Sequence, residues 1–226
     1  MTMKRLMLVW VMILCLVMVF VCSEVCAETI TAMATPVNPD HLEKTSCYAR
    51  ILGYNEDRNT LTVELIVPEV FAEEEVMVLE VGDAICTGGE EVTIQTIDWY
   101  EDDGYLVINA GAYEHAPGSV YLHMDRWGNY MPDRYGHPTY NTIAVLECPV
   151  TKTLLFLDYT SAETGDALEL PIVRTATELA ETIQSIEESR LTKADYMVGL
   201  DIDNVYVVFD GDGQLAVVQR FFVSWQ

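Results

Sequence analysis

Three of the chain's four histidines fall in the stretch Glu114 to Tyr140, as His115, His123 and His137, interspersed with Asp125 and Asp133. Imidazoles and carboxylates are the ligands of a hydrolytic zinc site, which takes three of them and keeps a fourth position open. The spacing argues against one. No H-E-x-x-H pair sets two imidazoles on a helical face, no H-x-H step occurs, and these groups converge only if the stretch folds back on itself. No metal and no cofactor are assigned. Tyr113 stands just before this stretch, which itself carries Tyr121, Trp127, Tyr130, Tyr135 and Tyr140. Exposed aromatics among polar neighbours stack on sugar rings or anchor a peptide. The other reading is that they close the open end of a barrel. The candidate ligand-binding set is Trp127, Tyr130, Tyr135, His123, Asp125 and His137, with Trp127, set in Asp-Arg-Trp-Gly-Asn, as the anchor.

Other acidic clusters resolve into turns. Asp210-Gly211-Asp212-Gly213, with Asp201 and Asp203 upstream, resembles a calcium loop only at first sight. Counted from Asp201, the sixth position is Tyr206 and the twelfth Asp212, where an EF-hand needs Gly and Glu. A strand over 204–209, at about 3.3 Å per residue, would hold the two acid pairs roughly 20 Å apart. Asp and Gly there serve a hairpin turn. Glu101-Asp102-Asp103, with Asp98 nearby, reads as a solvated loop tip. Nucleophilic catalysis has no support, since neither a G-x-S-x-G elbow nor a Ser-x-x-Lys pair is present. Cys148, just before Pro149, reads as a buried structural or disulfide cysteine and not as a nucleophile. With 36 acids in the chain, any carboxylate pair for glycoside hydrolysis is a coincidence of counting.

The N-terminus supplies an address. Lys4 and Arg5 precede the apolar run Leu6 to Cys22, and Val25-Cys26-Ala27 closes it, the order of a secretory signal peptide over 1–27. The run sits on the border between a long signal and a short spanning helix, so an uncleaved anchor is the alternative. The expected product is a secreted or extracytoplasmic chain of about 200 residues, enough for one large domain or two small ones. Its formal net charge of −24 excludes nucleic acid as a partner and disfavours docking on anionic lipid. Beyond the signal remain Cys47, Cys86 and Cys148, an odd number that permits at most one intramolecular disulfide.

The elements that must position these groups are mostly strands. Residues 28–44, with two prolines and no period, read as an extended leader. Ser46–Tyr54 and Thr60–Val67 alternate around the turn Asn55–Asn59, a β-hairpin that Pro68 ends. Further short runs follow, Val76–Val81, Ala84–Cys86, Glu91–Ile97 and Tyr105–Asn109, broken by Gly and Asp turns. Over 45–115 this layout is similar to small SH3-like or OB-like barrels, a resemblance of architecture that carries no functional residue. Residues 116–226 read as a β-rich region with strands at Ser119–Met124, Asn141–Cys148 and Thr153–Tyr159. It also holds one amphipathic helix, 176–190, behind a Thr175/Glu178 capping box, and a C-terminal hairpin, 205–225. The class is mainly β with one helix, α+β. The expected function is that of a non-enzymatic extracellular or cell-surface module that binds a protein or glycan; the alternative is a secreted hydrolase of cell-wall or glycan substrates.

Overall fold

A computed structural model describes residues 27–33, 37–100, 104–134, 136–161, 166–192, 199–200 and 203–222, the backbone alone at 187–192. The apolar run Leu6–Cys22, on which the signal reading rests, lies outside this set, as do Glu101–Asp103, Tyr135 and Asp201.

The predicted first hairpin forms. Strands β2 (Ser46–Asn55) and β3 (Thr60–Pro68) pair antiparallel. Period-two alternation sends Cys47, Ala49 and Ile51 to the same buried side as Leu61, Val63 and Leu65. The C-terminal hairpin also forms, as β13 (Val205–Phe209) and β14 (Leu215–Arg220). Its turn is built by Asp210, whose Oδ1 accepts the N–H groups of Asp212 and Gln214, both at 2.9 Å, with Gly213 at φ +72°. Strand β13 lies antiparallel against β2, so the last hairpin sits in mid-sheet.

The two strands expected at Asn141–Cys148 and Thr153–Tyr159 are one, β11 (Tyr140–Thr160). Its first half pairs antiparallel with β3 down to Pro149, opposite Thr60; from Val150 on it pairs parallel with β14. Proline has no N–H to give a ladder, so the change of partner falls where the ladder is already interrupted. Strand β12 (Ala167–Arg174) adds an outer edge. The pairings thus run β2–β3–β11–β14–β13 and back to β2, antiparallel except for β11–β14. This is the order and sense of the partly open, five-stranded Greek key of OB type.

The long helix α2 (Ala176–Thr192) lies between the third and fourth strands of that key. Its capping box is present: Glu178 accepts the Thr175 N–H at 2.7 Å while the Thr175 hydroxyl accepts the Glu178 N–H. Leu179, Ile183 and Ile186 face inward and join the core of the two hairpins and β11.

Residues 69–139 are an insert between β3 and β11 with a core of its own. Beside β4 (Ala84–Thr87) and β5 (Glu90–Thr93) lies a meander of β6 (Ile97–Tyr100), β7 (Tyr105–Ile108), β8 (Val120–Met124), β9 (Tyr130–Arg134) and β10 (His137–Pro138). The run Val76–Val81, read as a strand, is instead the end of the helical turn α1 (Glu73–Val76) and the loop after it. Three glutamates, Glu73 to Glu75, begin that turn, where negative charge suits the helix N-terminus. The leader is also part of the fold: β1 (Thr29–Thr31) pairs parallel with β4 and buries Ile30 in the insert's core.

The barrel-type expectation for 45–115 is therefore corrected. Residues 45–115 form no closed barrel: the barrel-like order joins 46–68 to 140–220, while 69–115 belongs to other sheets. The insert leaves and returns at one place. Tyr140 is registered with Pro68, and the Glu69 N–H donates to the Thr139 carbonyl at 3.0 Å. The buried Glu69 carboxylate fixes this crossing by accepting the hydroxyls of Thr87 and Thr139, each at 2.6 Å, and the Gly88 N–H at 3.0 Å.

Candidate functional site

The meander presents two unlike faces. Register sets Tyr100 opposite Tyr105, Tyr105 opposite His123, and Tyr121 opposite Asp133. These residues share the outer face. Leu106, Ile108, Val120, Leu122 and Tyr130 fill the other, against Phe71, Val76 and Ile85 of the insert's core.

On the outer face the rings form a continuous stripe. Tyr100 stacks on Tyr105 at 4.7 Å between centroids, Tyr105 lies 5.5 Å from His123, and His115 caps Tyr121 at 4.4 Å. His115 has φ +54°, and its backbone N–H donates to the Tyr121 hydroxyl. Its Nδ1 stops 3.6 Å from Asp133 Oδ1, beyond hydrogen-bond length.

At the end of the same sheet a pocket of about 430 Å³ opens between α1 and the meander. Glu73, Met77, Trp99, Tyr105, Met124 and Tyr130 line it. Met77, Trp99 and Met124 are exposed, and Glu73 is the one carboxylate among its described lining residues. Burial, then the charge of Glu73, pushes the Tyr130 phenol above its ordinary value.

The β8–β9 turn beside this pocket carries the predicted anchor. Trp127 is 71% exposed, with the Arg126 guanidinium 4.0 Å above its ring. Asp125 builds the turn: its Oδ1 accepts the N–H groups of Trp127 at 2.8 Å and Asn129 at 2.9 Å. Partial desolvation works to raise the Asp125 carboxyl, but these donors hold it below its ordinary value. Gly128 stands at φ +87°, and a Cβ there would lie 3.6 Å from Glu73 Oε2, so the turn and the pocket's carboxylate adjoin. No family model, no curated protein and no solved structure matches the chain. The functional reading rests on this geometry alone.

The structure separates most of the predicted set. Tyr130 is buried and belongs to the core, so it serves as pocket floor and not as a free stacking surface. His123 lies on the outer face. His137, registered with Arg134, lies on the other side of the sheet from Asp133, so the two imidazoles do not converge. Asp125 is occupied with its turn, and Tyr135 lies outside the described residues. Among the described residues no three His, Cys, Asp or Glu side chains are grouped to hold a metal ion. Tyr140 belongs to the other sheet and packs on Tyr48 at 5.8 Å. Trp99, Glu73, Tyr100 and Tyr105 were missed, because they precede the stretch that the sequence marks out. The available signal was the alternation Asp98/Tyr100 and Tyr105/Val107 in two neighbouring strands, which places their aromatic rings on one face.

Proposed function

We propose that the chain is an exported, non-enzymatic binding module. Its insert meets a protein or glycan partner at the pocket between α1 and the meander and at the adjoining turn. One observation carries this reading: two exposed indoles, Trp99 in the pocket and Trp127 beside it, stand next to the Glu73 carboxylate. An indole offers a flat apolar face to a sugar ring or to a side-chain stem, and a carboxylate accepts hydroxyls or pairs with a cationic group. Such aromatic anchors, ringed by lesser contacts, concentrate binding energy.

The test uses a glycan array and soluble cell-wall polysaccharides as probes, with cross-linking on the producing cell's surface for a protein partner. Trp127→Ala and Trp99→Ala are compared with the parent on whichever probe binds. Each is expected to weaken binding by about 2 kcal/mol, roughly thirtyfold, with the melting curve unchanged for Trp127→Ala. Loss of folding without a separate binding defect, or full binding by both variants, refutes the reading.

A further inference from the structure

The first residue of the expected mature chain is built into the fold. The Glu28 N–H donates to Asp83 Oδ1 at 2.9 Å, and the other Asp83 oxygen accepts the Glu80 N–H at 2.8 Å. One residue further, the Glu28 carbonyl accepts the Ala84 N–H at 2.8 Å and opens the pairing of β1 with β4. That pairing needs support. Strand β1 is three residues long, parallel to its neighbour, and anchored by one buried side chain, Ile30. Parallel pairing is slightly weaker per residue than antiparallel, and chain ends fray unless tied down. The carboxylate that ties this end is aimed at the nitrogen of the residue that follows Val25-Cys26-Ala27. Ala27 and Glu28 are both exposed, so the bond between them is open to a processing enzyme.

We infer that Asp83 is a receptor for the α-ammonium that signal cleavage creates at Glu28, so that processing locks β1 into the insert. The step is hydrolysis by a signal peptidase. Water adds across the Ala27–Glu28 amide, Ala27 leaves with the new carboxylate, and Glu28 keeps the nitrogen as an ammonium. A neutral N–H donor on Asp83 becomes a charged one at the same position. Charge-assisted hydrogen bonds of this kind are shorter and stronger than neutral ones. In a chain that retains its N-terminal run, the same nitrogen is an amide and carries no charge to this site. The inference rests on the signal reading and is independent of what the pocket binds.

The experiment compares three forms of the mature chain: one beginning at Glu28, the same chain acetylated at its α-amine, and one beginning at Ala27. The reporter is hydrogen exchange of the Ala84 amide, which donates to Glu28. Exchange is expected to be about two- to fivefold slower in the Glu28 form than in either other form, the scale of a solvent-facing ion pair. That difference should vanish in Asp83→Asn. This variant loses the charge and one of the two acceptor oxygens equally in every form, so its general cost cancels in the comparison. Equal exchange in the three native-sequence forms overturns the inference, as does a difference that survives in Asp83→Asn. Intact mass of exported protein showing a first residue other than Glu28 overturns it as well.

Discussion

Replacing Glu69 by Ala should weaken the whole molecule more than any surface change. The side chain is 2% exposed and accepts donors from three residues: the Thr87 and Thr139 hydroxyls at 2.6 Å and the Gly88 N–H at 3.0 Å. A hydrogen bond to a charged group contributes about 1.5–3 kcal/mol, which sets the upper scale of the loss. Part of it is recovered, because the two hydroxyls already lie 2.9 Å apart and can satisfy each other. The Gly88 N–H and the vacated volume remain uncompensated, for a net cost of about 2–4 kcal/mol. In a chain of about 200 residues each kcal/mol moves Tm by roughly 2–4 °C, so a fall of about 5–15 °C is expected. Glu69→Gln keeps the shape but turns an amide NH2 either toward the Gly88 N–H or toward the two hydroxyls, which share one carboxylate oxygen; its expected cost is about 1–2 kcal/mol. Thermal unfolding followed by circular dichroism reads both. If both variants melt within about a degree of the parent, Glu69 does not hold the crossing between barrel and insert and the reasoning fails.

Ile183→Ala, on the buried stripe of α2, should cost about 2–4 kcal/mol by the same assay, while Glu181→Ala on its exposed face should change little; equal effects would mean the helix is not packed as described. Glu64 accepts the Thr142 hydroxyl, which holds its carboxyl below the ordinary value of 4.5 against the opposing effect of burial, and Arg50 adds to the lowering. A lowered folded value stabilises at pH above 4.5 and loses that contribution as the pH falls through it, so Glu64→Gln should flatten the acid limb of a stability–pH curve. Burial pushes the Cys47 and Cys148 thiols up to about 11, so both should resist alkylation at pH 8 until denaturant is added; rapid native labelling of either would contradict their place in the core. A chelator should leave Tm unchanged, and a rise of several degrees in millimolar calcium would reveal a site among residues not described.

What the sequence discloses depends on how local the determinant is. Both hairpins and the α2 cap are legible because alternation, Asp-Gly turns and a Thr-x-x-Glu box act over a few residues. The pairing of β2 with β13 and of β3 with β11 is not legible, since nothing in Ser46–Pro68 says that its partners lie beyond an insert. Contiguous short strands were therefore read as one barrel when they belong to separate sheets. Pro149 was visible, but its meaning, a change of partner within one strand, needs both partners in view. At the candidate site, the exposure of Trp127 was legible in its polar setting, whereas the burial of Tyr130 was not. A tyrosine between a turn and Met131 carries no local mark of the side of the sheet it will take. Trp99 and Glu73 escaped because they join Trp127 through α1 and β6, not through sequence proximity.

The insert also sets the order in which this chain can acquire structure. Its meander is made of consecutive hairpins whose connections run from two to eleven residues, and such local contacts form early. Pairing β3 with β11 first would mean closing a loop of about seventy flexible residues, with a correspondingly larger entropic cost. Once the meander and the Glu69 contacts are in place, that loop is already closed: Pro68 and Tyr140 are delivered as registered neighbours. The insert then acts as a template for the barrel-like half, and pulse-labelled exchange should show amides of 105–134 protected before those of 140–149. For a chain made from its N-terminus, this order has a further consequence. Glu28 to Thr31 and the hairpin Ser46–Pro68 are made before anything they pair with outside themselves, and must wait exposed until the insert has followed them.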